Sequence, residues 1–113
     1  MAVNAAFLQS GAAAQATAFP FLGLATATPD ATGSNQSAAA RVAAGWATAN
    51  GVLTATGKSF TGGAASGPCT HVTFWSAATA GTYGGSQALT GDQTFNAAGQ
   101  YTVNSVTITP TAT

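Results

Sequence analysis

Cys69-Thr70-His71-Val72-Thr73-Phe74-Trp75-Ser76 is the densest run of β-branched and aromatic residues in the chain, and Gly67-Pro68 stands directly before it. Ala77-Ala78-Thr79-Ala80-Gly81 follows, and Thr82-Tyr83 resumes the aromatic pattern. Strand, short Gly-containing connection and second strand in that order predict a β-hairpin. At period two, Thr70, Val72, Phe74 and Ser76 share one face, and Cys69, His71, Thr73 and Trp75 the other. Neither face is cleanly polar, so this strand is expected to lie inside an assembly, with something on both sides.

Upstream, the Ala-rich stretch Val3 to Ala16 carries Phe7 and Leu8 as its only bulky pair. Alanine is the best helix former, so a short helix from about Asn4 to Gln15 is expected. It has too little apolar area to stand alone and must dock on the body or on a neighbour. Residues 1–18 are therefore read as a helical arm for attachment, with Phe7 and Leu8 as its contacts, and 19–113 as a β-sandwich domain. Phe19 to Thr26 reads as a strand with Pro20 near its start, where a missing N–H is tolerated. Thr28 to Gln36 is a turn-rich loop, with Pro29, Asp30 and Asn35 its exposed features. Ala40 to Trp46 fits helix or strand, and Asn50-Gly51 is the strongest short turn signal. After it come Val52 to Thr56 and, beyond Gly57, Lys58 to Phe60.

Downstream of the central hairpin, Gly84-Gly85 permits a bulge. The last strand, Gln100 to Thr109, sets Tyr101 and Val103 on one parity and Val106 and Ile108 on the other. An extra residue at Asn104-Ser105 would return all four to the core. Short strands separated by turn signals at this spacing indicate an all-β fold. The expectation is an antiparallel β-sandwich, Ig-like or jelly-roll-like, of seven to eight short strands with a short N-terminal helix. Val72, Phe74, Trp75, Tyr83, Phe95, Tyr101, Val103, Val106 and Ile108 are its expected core and interface residues.

Charged residues are only 4% of the 113, namely Arg41, Lys58, Asp30 and Asp92, and the net charge is zero. A typical domain carries about 25%. No basic patch exists to displace counterions from nucleic acid or to hold an anionic membrane surface. No run of eighteen apolar residues offers a membrane span. No Lys or Arg precedes Arg41, and Gln9 and Gln15 interrupt the N-terminal apolar run, which argues against a secretory leader. Cys69 is the only cysteine, so no internal disulfide forms. Sheet edges are usually defended by lysine or inward-pointing charge, and this chain has almost none. Covering by partner subunits is the expectation.

The segment Cys69 to Tyr83 resembles a strand-turn signature in small virion proteins of tailed bacteriophages. The likeness continues through Ala88-Leu89-Thr90 and the closing Gly99 to Val103. Upstream, Leu24 to Gly33 is similar to that family's Pro-containing loop, and Arg41 to its arginine, although the family's loop histidine is missing here. The resemblance covers most of residues 20–109. It implies a virion structural role as a tail-fibre-like, minor tail or head-associated protein.

Catalysis needs an activated nucleophile, an acid or base, and a stabiliser of developing charge. Cys69 and His71 are the only pair with a mechanism, and as a dyad they would need Asp30 or Asp92 to orient them. As metal ligands they supply half of a tetrahedral zinc site. The plainer reading makes Cys69 a small buried hydrophobe and His71 a hydrogen-bonding group. Trp46, Trp75, Tyr83 and Tyr101 are candidates for a sugar-stacking surface, against the alternative of core and interface. Arg41 is expected to be a surface or interface ion-pair partner for an aspartate. No catalytic residue, metal or cofactor is assigned, and no enzyme activity is expected.

The functional expectation is a structural subunit of a tailed-phage particle, made in the host cytoplasm and resident in the virion. It would be an oligomeric capsid decoration protein, with a trimer among its candidate forms. Its expected partners are copies of itself and major capsid or tail proteins, with neither nucleic acid nor membrane among them. The rivals are a tail-fibre or minor tail subunit and, from another class, a host-glycan-binding module.

Overall fold

The computed structural model describes the backbone of residues 5–49 and 51–108 and the side chains of 11–49 and 51–108. Among the described residues one helix, α1 (Ala5–Ala18), precedes seven strands: β1 (Phe21–Ala25), β2 (Val42–Ala43), β3 (Ala47–Ala49), β4 (Val52–Phe60), β5 (His71–Trp75), β6 (Tyr83–Ala88) and β7 (Tyr101–Ile108). The strands form two antiparallel sheets, ordered β2-β1-β5-β6 and β3-β4-β7. The protein is a small all-β sandwich with one short helix.

Helix α1 runs three residues past the expected Gln15. Phe19 N–H still donates to Gln15 O at 2.8 Å. The chain leaves the helix only where Pro20 disfavours helical geometry at the residue before it. Helix α1 lies against β3 and β4, with Ala12 fully buried. The backbone of Phe7 and Leu8 belongs to α1, but their side chains, read from the sequence as attachment contacts, lie outside the described residues.

The inner faces of the two sheets meet in one core. Leu22, Leu24 and Val72 come from the first sheet, and Ala55, Phe60, Val103 and Val106 from the second. Phe95 and Cys69 fill the end, and Phe74, Tyr101 and Trp46 pack against the cluster partly buried. Strand β5 is paired on both edges, to β1 and to β6. The β5–β6 pairing slips by one residue, from Phe74↔Gly85 to Trp75↔Tyr83. The extra residue is Gly84, where a Cβ would sit 2.7 Å from the Phe19 ring. The glycine pair thus makes the bulge its sequence permits.

Strand β7 changes phase, with Val103 and Val106 both buried and Asn104 and Ser105 between them both exposed, but without the extra residue expected there: its register to β4 is the same on either side. Its partner changes phase at the same level. Register runs Thr56↔Ser105 and then Lys58↔Val103, leaving Gly57 opposite Asn104. Gly57 adopts a φ of 62°, a conformation that glycine tolerates best. Residues Val52 to Phe60, which read as two pieces broken at that glycine, are therefore one strand with its buried side switched midway. The ambiguous stretch Ala40 to Trp46 holds only the two-residue β2, because Gly45, at φ 59°, turns the chain toward the other sheet.

Val72 is 1% exposed and faces the opposing sheet. Replacing it with Asp buries an unpaired charge, and a loss of more than about 3 kcal/mol of unfolding free energy is expected. Urea titration followed by circular dichroism measures it; unchanged stability would mean that the two faces of β5 are assigned the wrong way round.

Candidate functional site: the loop-covered face of the central sheet

The second face of β5 carries Thr73 and Trp75, and both are buried, at 0% and 7% exposure. Their cover is the chain's own. Loop 26–40 folds back over the sheet, held by Thr26 N–H to Asn35 O and Ser37 N–H to Leu24 O, each at 2.8 Å. Gln36 Oε1 accepts the Thr73 hydroxyl at 3.0 Å, and that hydroxyl accepts Trp75 Nε1–H at 3.0 Å. Across the ladder, Gly23 opposes Thr73, and a Cβ there would lie 2.8 Å from the Thr73 Oγ1. Glycine at that position gives the buried hydroxyl its room.

Trp75 is the centre of the layer. The Arg41 guanidinium lies 3.7 Å from its ring centroid, and Tyr83 packs on it tilted at 55° with centroids 5.2 Å apart. Gly33, at φ 79°, brings the loop backbone against both rings. Arg41 also donates from one Nη to two carbonyls of the β5–β6 connection, Ala77 O at 2.9 Å and Ala80 O at 2.7 Å. Arginine suits this position because a planar cation can stack on indole while its edge donates. The expected Arg–Asp pair is thus replaced by a stack and two carbonyl contacts. The arginine ties three segments together: its own, strand β5 and the connection after it.

Loop 26–40 is ordered from within. Asp30 Oδ1 accepts from the Thr32 hydroxyl at 2.6 Å, Thr32 N–H at 2.8 Å and Ser34 N–H at 3.4 Å. These bonds, the Thr32 hydroxyl first, hold the carboxyl below its usual range. Asp30 and Asn35 are exposed and Pro29 is half-buried. Asn35, at φ 60°, donates from its amide to Thr28 O at 3.1 Å.

Cys69 and His71 go to different environments. Cys69 is in the core, its thiol pushed up to about 11 by burial and, secondarily, by the charge of Asp92. At neutral pH it is a thiol and not the thiolate that nucleophilic attack or metal binding requires. His71 Nδ1 is 2.7 Å from the Thr70 hydroxyl. Among the described residues, no group of three His, Cys, Asp or Glu side chains could hold a metal ion. The four aromatics weighed as a sugar platform are dispersed. Trp75 and Tyr83 lie under loop 26–40, Trp46 packs on Phe74 and donates to Phe19 O, and Tyr101 packs edge-on to Phe95. Burial raises the Tyr101 hydroxyl above its usual value, and that hydroxyl donates to Asp92 O.

The remaining core and interface candidates separate by depth. Val72, Phe95, Val103 and Val106 are buried. Phe74 and Tyr101 are partly buried, and Ile108 is half-exposed in an apolar cleft of about 280 Å³ with Phe19, Trp46 and Leu53. Sequence reasoning did not single out Gly23, Gly33, Gln36 or Thr73. Only the aromatic alternation around Thr73 hinted that its face is covered.

No family model, curated protein or solved structure matches this chain.

Two outcomes follow from this layer. Arg41→Lys keeps the charge but cannot stack and bridge both carbonyls, so a loss of about 1–2 kcal/mol and a shift in Trp75 fluorescence are expected on urea titration. A variant as stable as the parent would remove Arg41 from the account. Asp30 has a folded-state pKa below its unfolded one, so its contribution is complete above the unfolded value and disappears as pH falls through the folded one. Amide resonances of Thr32 and Ser34 should move together in that acid window, and Asp30→Ala should abolish the movement; titration in the usual carboxylate range would contradict the assigned bonds.

Proposed function

We propose that this protein is a structural subunit of a tailed-bacteriophage particle that works by adhesion, as an oligomeric decoration protein on the outside of the capsid. The observation that carries this reading is a sandwich whose long edge strands, β6 and β7, bear no ionised side chain. A free monomer with such edges is a template for unwanted pairing, whereas a subunit of a large assembly has neighbours to occupy them. The similarity of Cys69 to Tyr83 to the phage strand-turn supports the same reading. Those residues supply β5, buried on both faces, and the connection that Arg41 clamps. A surface rich in Ser, Thr, Asn and Gln offers uncharged hydrogen bonds, which salt screens little.

Adhesion here means many weak, salt-tolerant contacts repeated over a lattice. The dispersal of the four aromatics favours this over the glycan-binding reading, for which stacking rings would have to converge. Quantitative mass spectrometry of separated heads and tails tests the proposal. High copy number on heads is expected; presence only on tails would move the protein to the tail, and absence from purified particles would overturn the reading. A F7S/L8S chain should bind particles less while keeping its β-sheet circular dichroism; unimpaired binding would place the anchor elsewhere.

A further inference from the structure

The four sheet edges are treated unequally. Strand β2 is two residues long and β3 three, and α1 lies beside β3. Short and covered edges resist pairing with other chains. On the opposite flank, β6 has six residues and β7 eight, without a lysine, a proline or any ionised side chain. Each is the last strand of its sheet. Between them lies a cleft of about 400 Å³ lined by Val72, Leu89, Val103 and Val106 among polar neighbours. Gln87 reaches across it, its Nε2 donating to Thr107 O at 3.2 Å.

Strand β7 has a further property. Its burial from Tyr101 to Ile108 reads half-buried, exposed, buried, exposed, exposed, buried, exposed, half-buried. That sequence is the same in both directions about the Asn104–Ser105 bond. A strand alternating without interruption lacks this symmetry, because reversal about a bond sets an inward residue against an outward one. The phase change at Asn104-Ser105 creates it.

We propose that β7 pairs antiparallel with β7 of a second copy across a two-fold axis between Asn104 and Ser105, joining two three-stranded sheets into one of six. In this register Val103 of each copy faces Val106 of the other on the core side. Thr102 meets Thr107 on the exposed side, and Asn104 meets Ser105, an amide opposite a hydroxyl. Sliding the copies by one residue sets Val103 opposite exposed Ser105 or Thr107, so the register is specified. The second copy is the occupant that fits, because a neutral edge meets its own image without repulsion and a two-fold contact is self-complementary. The Thr107 carbonyl that Gln87 engages has a second lone pair for the incoming strand. The same operation brings the two β6 flanks together and closes both clefts. The inference rests on the oligomeric part of the function proposed above and names its interface.

Sedimentation velocity from low micromolar to millimolar concentration tests it. The parent should run as a dimer. N104K/S105K places lysines directly opposite lysines at two exposed positions, and the dissociation constant should rise at least about tenfold. N104D/S105D should do the same, and an equimolar mixture of the two variants should dimerise again. A parent that stays monomeric at millimolar concentration, or a dimer indifferent to both charge pairs, would overturn the proposal. Should the charged chains lose their β-sheet signal, T102C/T107C provides the second reading. Oxidation should link two copies covalently, Cys69 being buried, and a product that remains a single chain would overturn the pairing. A dimer that joins no particle would sink the virion reading alone; particle-bound protein that resists every form of pairing would sink the interface alone.

Discussion

Strand β5 is the constraint on which the rest of the molecule depends. Its backbone is bonded on both edges, and its side chains are buried on both faces. A strand in that position needs four neighbours, and here the chain itself supplies all four. The opposing sheet supplies one, β1 and β6 supply two, and loop 26–40 supplies the fourth. That loop does the work of a third layer without regular structure. Gly33 lets it approach the sheet, Gly23 leaves room for the Thr73 hydroxyl, and the Thr73–Gln36 bond satisfies that hydroxyl beneath the loop.

The scarcity of charge then acquires a structural meaning. Of two positive side chains, Arg41 is spent on internal clamping, stacked on Trp75 and bonded to the carbonyls of Ala77 and Ala80. The two aspartates order their own turns: Asp30 bonds Thr32, and Asp92 bonds the amide and hydroxyl of Thr94. Little is left to repel another chain from the sheet edges. Protection comes instead from shortness at β2 and β3 and from the helix, and neither device reaches β6 or β7. This asymmetry between the two flanks is the ground of the pairing proposed for β7.

The fold was legible in the sequence wherever one residue type dictates backbone behaviour. The hydrophobic run at 71–75 announced a strand covered twice, Gly84-Gly85 a bulge, and the parity of Tyr101, Val103, Val106 and Ile108 a change of phase, though the extra residue expected to make it is not there. Less legible was what answers each feature across the ladder. Gly57 looked like a break because a strand-interior glycine usually weakens a strand; only pairing to β7 shows it matching the switch at Asn104. The partner of Arg41 was misjudged for a related reason. Charge arithmetic suggests an aspartate, but both aspartates hydrogen-bond within their own loops, and an indole face was nearer. That Trp46, Trp75, Tyr83 and Tyr101 lie apart was not legible, because period-two parity says which face a residue takes and not which layer covers that face.

The central claim is that β5 is sealed by its own chain while the outer edge of β7 is left for a copy. Residue-resolved hydrogen exchange at low and high protein concentration tests both halves together. The account expects β5 amides to be among the slowest at every concentration, and the outward amides of Thr102 to Thr107 to gain protection as concentration rises. Exchange along β7 that ignores concentration, or β5 amides that become slow only when copies associate, would contradict it.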